Sequence, residues 1–90
     1  MDLTVRQEKV VRLLWRHSRW DSTRVITQDL NIREDYRSGV FTIGQVRSIL
    51  ARLENREIVV RRGFPARWQL TTHARNHLLA KGFKSDSKTT

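Results

Sequence analysis

The sequence predicts a small α+β domain: a three-helix core, a C-terminal β-hairpin and a short final helix. Three observations carry this expectation. Apolar residues recur at helical spacing between Val5 and Leu53, behind recognisable capping residues. Between Ile58 and Leu70 the pattern changes to β-branched and alternating residues. The chain has 90 residues, enough for one compact domain and too few for a large enzyme.

The first helix opens at Thr4. Thr4-Val5-Arg6-Gln7 is a capping box, in which the Thr4 hydroxyl accepts from the Gln7 backbone N–H and the Gln7 side chain reaches back. Val10, Leu13, Leu14 and His17 then follow i, i+3, i+4, i+7 spacing, with Val11 and Trp15 widening the stripe. The helix is expected over Val5 to Ser18. Asp21 or Ser22 caps a second, shorter helix through Leu30, with Val25, Ile26 and Leu30 inward and Asp29 solvated beside them. Asn31 to Phe41 has no clean period, and Ser38-Gly39 is a turn signal. A connection this long carries either a short strand or a mobile surface loop.

Thr42-Ile43-Gly44-Gln45 repeats the capping box. Ile43, Val46, Ile49, Leu50 and Leu53 form the apolar stripe of a third helix over Ile43 to Arg56. A hairpin follows, with Arg61 to Pro65 as its turn and Ile58, Val60, Trp68 and Leu70 as its buried face. Thr71 or Thr72 caps the final helix, which turns Ala74 and Leu78 inward and ends at Gly82. The domain is expected over residues 1–83. Residues 84–90 hold no apolar anchor and are expected to form a disordered tail.

Charge narrows the class of partner. Lys and Arg total 18 against 9 acidic residues, for a net charge of +9, and 14 of the 18 are Arg. From Met1 to Asp35 there are 7 basic and 6 acidic residues, a net of +1; from Tyr36 to Thr90 there are 11 and 3, a net of +8. A basic half of this kind points to a polyanionic partner, and the planar Arg fork suits phosphates and guanine edges. Arg-favouring base composition accounts for Arg over Lys but not for the missing acids. The chain has no cysteine, hence no disulfide or thiolate site. No apolar signal region follows Met1, and apolar runs stop at three residues against the roughly 20 that span a bilayer. A cytoplasmic, nucleoid-associated protein with no membrane partner is expected.

Several segments resemble the winged helix-turn-helix superfamily, most closely transcriptional regulators of the penicillinase-repressor and multiple-antibiotic-resistance type. They are Val11 to Trp15 in the first helix, and Thr42 to Leu53 with Val46, Leu50, Arg52 and Leu53 in place. Glu57 to Arg62 enters the hairpin and Trp68 to Thr71 leaves it. The resemblance covers about Leu3 to Leu79. Where such proteins often place a glycine before the strand, this chain has Arg56 or Glu57. The resemblance implies a winged helix domain that binds duplex DNA.

On that reading the third helix enters the major groove. Opposite its apolar stripe lie Gly44, Ser48, Ala51 and Asn55, of which Gly44, Ser48 and Ala51 are small enough for close approach. Gln45, Arg47 and Ser48, near the helix N-terminus, are the expected base readers, since Gln pairs with adenine and Arg with guanine. Thr42, Arg52, Arg61, Arg62 and Arg67 are the expected backbone contacts. An ordinary solvated helix face carries similar residues, and the adjoining basic hairpin is what favours DNA. Arg61 and Arg67 are expected outward and Arg62 at the turn. Phe64 is expected to pack on its own hairpin rather than to act as a minor-groove wedge.

Other chemistry finds little support. His73 and His77 stand i, i+4 without a third ligand, with Arg75 between them, so no metal is expected. No nucleophile triad, paired catalytic carboxylates or phosphate loop occurs, so neither catalytic residues nor cofactors are expected, and no small-molecule effector site is evident. His17 reads as a rim residue. Trp15 and Trp68 have core registers, while Trp20 with Tyr36 and Phe41 is expected to seal the long connection onto the core. Leu79 and Phe83 either form a homodimer contact or cover the base of the first helix. Two other functions stay open: a protein-docking module using residues 31–41, as in a phage or plasmid accessory protein, and a structured-RNA binder.

Overall fold

The computed structural model describes residues 2–17, 19–33 and 41–83. The elements are α1 (Val5–Arg16), β1 (Asp21–Ser22), α2 (Thr23–Arg33), α3 (Ile43–Asn55), β2 (Val59–Arg62), β3 (Arg67–Leu70) and α4 (Thr72–Ala80). Among the described residues these make an α+β domain of four helices and one three-stranded antiparallel sheet, in the order β1-β3-β2. Tyr36, the Ser38-Gly39 turn and the tail from Lys84 lie outside the described residues.

Both capping boxes form. Thr4 and Gln7 exchange hydrogen bonds of 3.0 and 3.1 Å, and Thr42 and Gln45 exchange two of 3.1 Å. Each box satisfies two N–H groups that a bare helix end leaves unpaired. Thr71 caps α4 by accepting from Ala74 N–H at 3.0 Å. Gly82, at φ +101°, closes α4: its N–H reaches Leu79 carbonyl at 3.1 Å and Phe83 N–H reaches Leu78 carbonyl at 3.0 Å. That pair of bonds needs a residue in the left-handed region, which glycine enters without a Cβ clash.

The apolar stripes meet in one core. It contains Val10, Val11, Leu13 and Leu14 of α1, Ile26 and Leu30 of α2, Val46, Leu50 and Leu53 of α3, and Ala74 and Leu78 of α4. Phe41, Ile58, Val59, Trp68 and Leu70 complete it. Each large side chain buried this way contributes about 1.5–3 kcal/mol against chain entropy. Ile43, expected in the stripe, is 41% exposed, and Val25 is only half-buried. Ile43 is the first residue of its helix and lies beyond the edge of the core.

Three expectations are corrected. Asp21 and Ser22 form a strand paired with Trp68 and Arg67 of β3, so the sheet has a third strand and Asp21 is no helix cap. Ser22 takes the capping contact instead, accepting from Val25 N–H at 3.3 Å. Helix α1 stops at Arg16, two residues early, because His17 turns to extended backbone (φ −96°, ψ 128°) on the way into β1. Helix α2 continues through Arg33, past the expected end at Leu30.

The hairpin brings a fourth correction. Val59, not Val60, is buried, and Val60 is 40% exposed. Glu57 takes φ +60° and Ile58 precedes the strand, so β2 begins one residue later than the apolar run implies. Because side chains alternate along a strand, that offset reverses which residues face inward. Val59 pairs with Leu70, Val60 with Gln69, Arg61 with Trp68 and Arg62 with Arg67. Arg61 therefore shares the face of buried Trp68, although its own side chain remains exposed and reaches Glu54.

A polar cluster pins the junction of α1, β1 and α2. His17 Nδ1 lies in a short contact with buried Asp21, and its Nε2 is 3.7 Å from Asp29. Arg19 donates to the other Asp21 oxygen at 2.9 Å. Arg75 of α4 donates to the Leu14 and His17 carbonyls at 3.4 and 3.1 Å, serving the carbonyls at the end of α1. His17, expected at a rim, instead ties three elements together.

Candidate nucleic-acid interface

Helix α3 buries Val46, Leu50 and Leu53 and leaves Gly44, Gln45, Arg47, Ser48, Ala51, Arg52 and Asn55 exposed. At 100° per residue, Gly44, Ser48, Ala51 and Asn55 form the centre of that face. A Cβ added at Gly44 meets nothing within 4 Å, so the surface there is open.

The two sides of the strip differ. Gln45, Ser48 and Arg52 line a hollow shared with Thr4, Arg6 and Gln7 at the start of α1. Arg47 belongs to the opposite edge, on the same helical line as Glu54 two turns later. Glu54 binds Arg61 of β2 at 3.2 Å, so that edge leads to the hairpin. The expected base readers are thus split: Gln45 and Ser48 face the α1 side, and Arg47 borders the hairpin side.

Gln45 is not idle. Its Oε1 accepts from Thr42 N–H, and Thr42 Oγ1 accepts from Gln45 N–H. The carbonyl end of the Gln45 amide and the Thr42 hydroxyl are thus used by the capping box. With the cap intact, the Gln45 NH₂ group is the part of the side chain not used by the capping box.

Arg6 was not singled out by the sequence. Its guanidinium lies 4.8 Å from the centre of the buried Phe41 ring, and it lines the same hollow as Arg52. A guanidinium in cation–π contact is restrained and keeps its charge for an anion. The only signal was its place on the outward side of the first helical turn, which many solvated arginines share.

In the hairpin, Arg61, Arg62 and Arg67 are all exposed. The Arg61–Glu54 pair is solvent-exposed and worth at most about 1 kcal/mol, so a stronger anion can displace it. Arg62 stacks 4.8 Å from the centre of the Trp20 ring. Trp20 thus meets the hairpin, while its expected partner Tyr36 lies outside the described residues. The expectation for Phe64 is corrected: it is fully exposed and does not pack on the hairpin. Gly63, at φ +83°, makes the turn that projects it.

Outside this surface the remaining candidates are structural or isolated. Trp15 is half-buried and meets Phe83 edge to face at 5.6 Å, with Arg12 4.7 Å from the Phe83 ring centre. Phe83 therefore covers the first helix, and Leu79 is left half-exposed. Trp68 is core, its indole N–H donating to Thr23 Oγ1 at 3.1 Å. His77 Nε2 is buried with no hydrogen-bond partner among the described residues. Its pKa lies below the ordinary histidine value, through desolvation first and then nearby positive charge, Lys81 and His73 included. Burial likewise lowers that of Arg75.

Among the described residues no group of three or more His, Cys, Asp or Glu side chains is placed to hold a metal ion. No helix among them is long and apolar enough to cross a membrane. In comparisons with known proteins, the chain matches no protein-family model and no curated protein sequence.

Proposed function

We propose that this protein is a winged helix domain that binds duplex DNA, most naturally as a small transcriptional regulator. The observation that carries the reading is the adjacency of the exposed strip of α3 and the arginine hairpin. The exposed strip of α3, open at Gly44, is bordered by Arg47 and Arg52 and joined through Glu54 to the arginine hairpin. A helical core followed by a hairpin is compatible with a winged helix and supports the same reading.

In this mechanism α3 lies in the major groove, where Arg47 and Ser48 meet base edges and Gln45 contributes its NH₂ group. Arg52 and the Thr42 end of α3 meet one strand's phosphates. Arg61, Arg62 and Arg67 hold the flanking backbone. Glu54 releases Arg61 on binding. Neutralising six phosphates gives a slope of log K against log salt near −5 for B-form DNA.

Fluorescence anisotropy on random-sequence duplex DNA, with duplex RNA of equal length alongside, tests the proposal. Salt-sensitive binding to DNA in preference to RNA supports it. Preference for RNA, or a flat salt response, refutes it.

A further inference from the structure

The hairpin tip carries an aromatic ring that the fold does not use. Phe64 is fully exposed, while the other two phenylalanines, Phe41 and Phe83, both pack on the domain. Single exposed apolar side chains are common, so exposure alone decides nothing. The surroundings do. Phe64 and Pro65 sit between Arg62 and Arg67, which are cross-strand partners at the closing pair of the hairpin. Trp20, Arg62, Gly63, Phe64, Pro65 and Arg67 line one open hollow. An apolar point is thus flanked by two guanidiniums.

The partner of such a tip must offer a flat apolar surface between two rows of negative charge. A base step in the minor groove, with phosphates on either wall, has that chemistry. The Arg62 guanidinium carbon lies 4.8 Å from the centre of the Trp20 ring, a cation–π contact that restrains this arginine beside the tip. We propose that Phe64 is a wedge that partly unstacks one base step in the minor groove, and that the protein bends the DNA it binds. This inference rests on the duplex-DNA reading and adds a mechanical activity to it. Because pyrimidine–purine steps unstack most readily, binding sites are expected to contain TA or CA/TG where the tip lands.

A short duplex labelled at both ends for energy transfer, with 2-aminopurine placed at successive steps, tests the wedge. The wild type is expected to shorten the end-to-end distance, consistent with a kink of about 20–90°, and to brighten 2-aminopurine at one step. Phe64→Ala is expected to bind about five- to tenfold more weakly, leave the duplex straight and abolish the brightening. Phe64→Trp is expected to restore both signals. Since Phe64 contacts none of the core, an unchanged melting temperature certifies the fold of each variant.

Equal binding by wild type and Phe64→Ala, with straight DNA in both, overturns the wedge while leaving DNA binding intact. Absence of wild-type binding to any duplex overturns both readings. Phe64-dependent association with phosphatidylserine vesicles, with no DNA bending, overturns the wedge in favour of a lipid surface.

Discussion

The Asn31 side chain holds both backbone groups of Phe41. Its Nδ2 donates to the Phe41 carbonyl at 2.9 Å, and its Oδ1 accepts from the Phe41 N–H at 2.8 Å. The last turn of α2 is thereby fastened to the residue before the α3 cap. This fixes where Thr42 begins the helix that carries the candidate interface.

Removing that amide leaves a part-buried N–H and carbonyl without their partners. Asn31→Ala is expected to cost about 1–3 kcal/mol in urea denaturation. Asn31→Asp keeps the acceptor and loses the donor, so it is expected to fall between Ala and wild type. A loss within error for Asn31→Ala contradicts the role assigned to the pair.

Glu57 occupies the left-handed region at φ +60°, where a side chain is strained and glycine is not. Glu57 is exposed and its backbone N–H is bonded to the Glu54 carbonyl, so the turn itself is required. Glu57→Gly is expected to raise stability by up to about 1 kcal/mol, the relief of strain offset in part by a looser unfolded chain. Thermal denaturation of the two proteins side by side reads the difference.

His77 predicts a pH dependence. Its pKa in the fold is lowered, while in the unfolded chain it lies near the ordinary value of about 6.5. Between those values the unfolded state binds more protons, so stability rises with pH there. The contribution is full above the unfolded value and is lost as pH falls through it towards the folded one. The melting temperature is expected to fall more for wild type than for His77→Leu between about pH 7.5 and pH 5.5. Identical slopes in the two proteins exclude His77 as a source of the dependence.

Arg6 and Arg52 border the same hollow from two helices. If a phosphate lodges there, Arg6→Ala and Arg52→Ala are each expected to reduce the salt slope of DNA binding by about 1. The double variant should lose less than the sum, because both act on one anion. Arg6→Lys keeps the charge without the planar stack on Phe41, and serves to separate binding from any loss of stability. Strict additivity with an unchanged slope contradicts a shared phosphate.

The features legible in the sequence are those written locally. Thr4 with Gln7 and Thr42 with Gln45 lie three residues apart, and both capping boxes form. Val46, Leu50 and Leu53 repeat at helical spacing and are fully buried. Gly82 ends α4 as expected. What escaped depends on partners far along the chain. Two residues, Asp21 and Ser22, have no period of their own and become a strand only beside Trp68 and Arg67. The face of β2 is decided by the backbone at Glu57, which an apolar run of Ile58, Val59 and Val60 does not record. Arg6 joins the candidate site across the α1–α3 hollow, and Trp20 meets Arg62 through the sheet. Neither proximity leaves a mark in sequence spacing.

On the proposed function, α3 and the hairpin together form the surface that meets DNA. The most direct measurement is a two-dimensional amide NMR titration of the isotopically labelled protein with duplex DNA. Shifts or broadening are expected to concentrate at Gly44, Arg47, Ser48 and Ala51 of α3 and at Arg62, Gly63 and Phe64 of the tip. Amides along the exposed side of α4, such as Asn76 and Leu79, should stay in place. A spectrum that DNA leaves unchanged, or one whose changes map to α4 while α3 stays still, contradicts the proposed function.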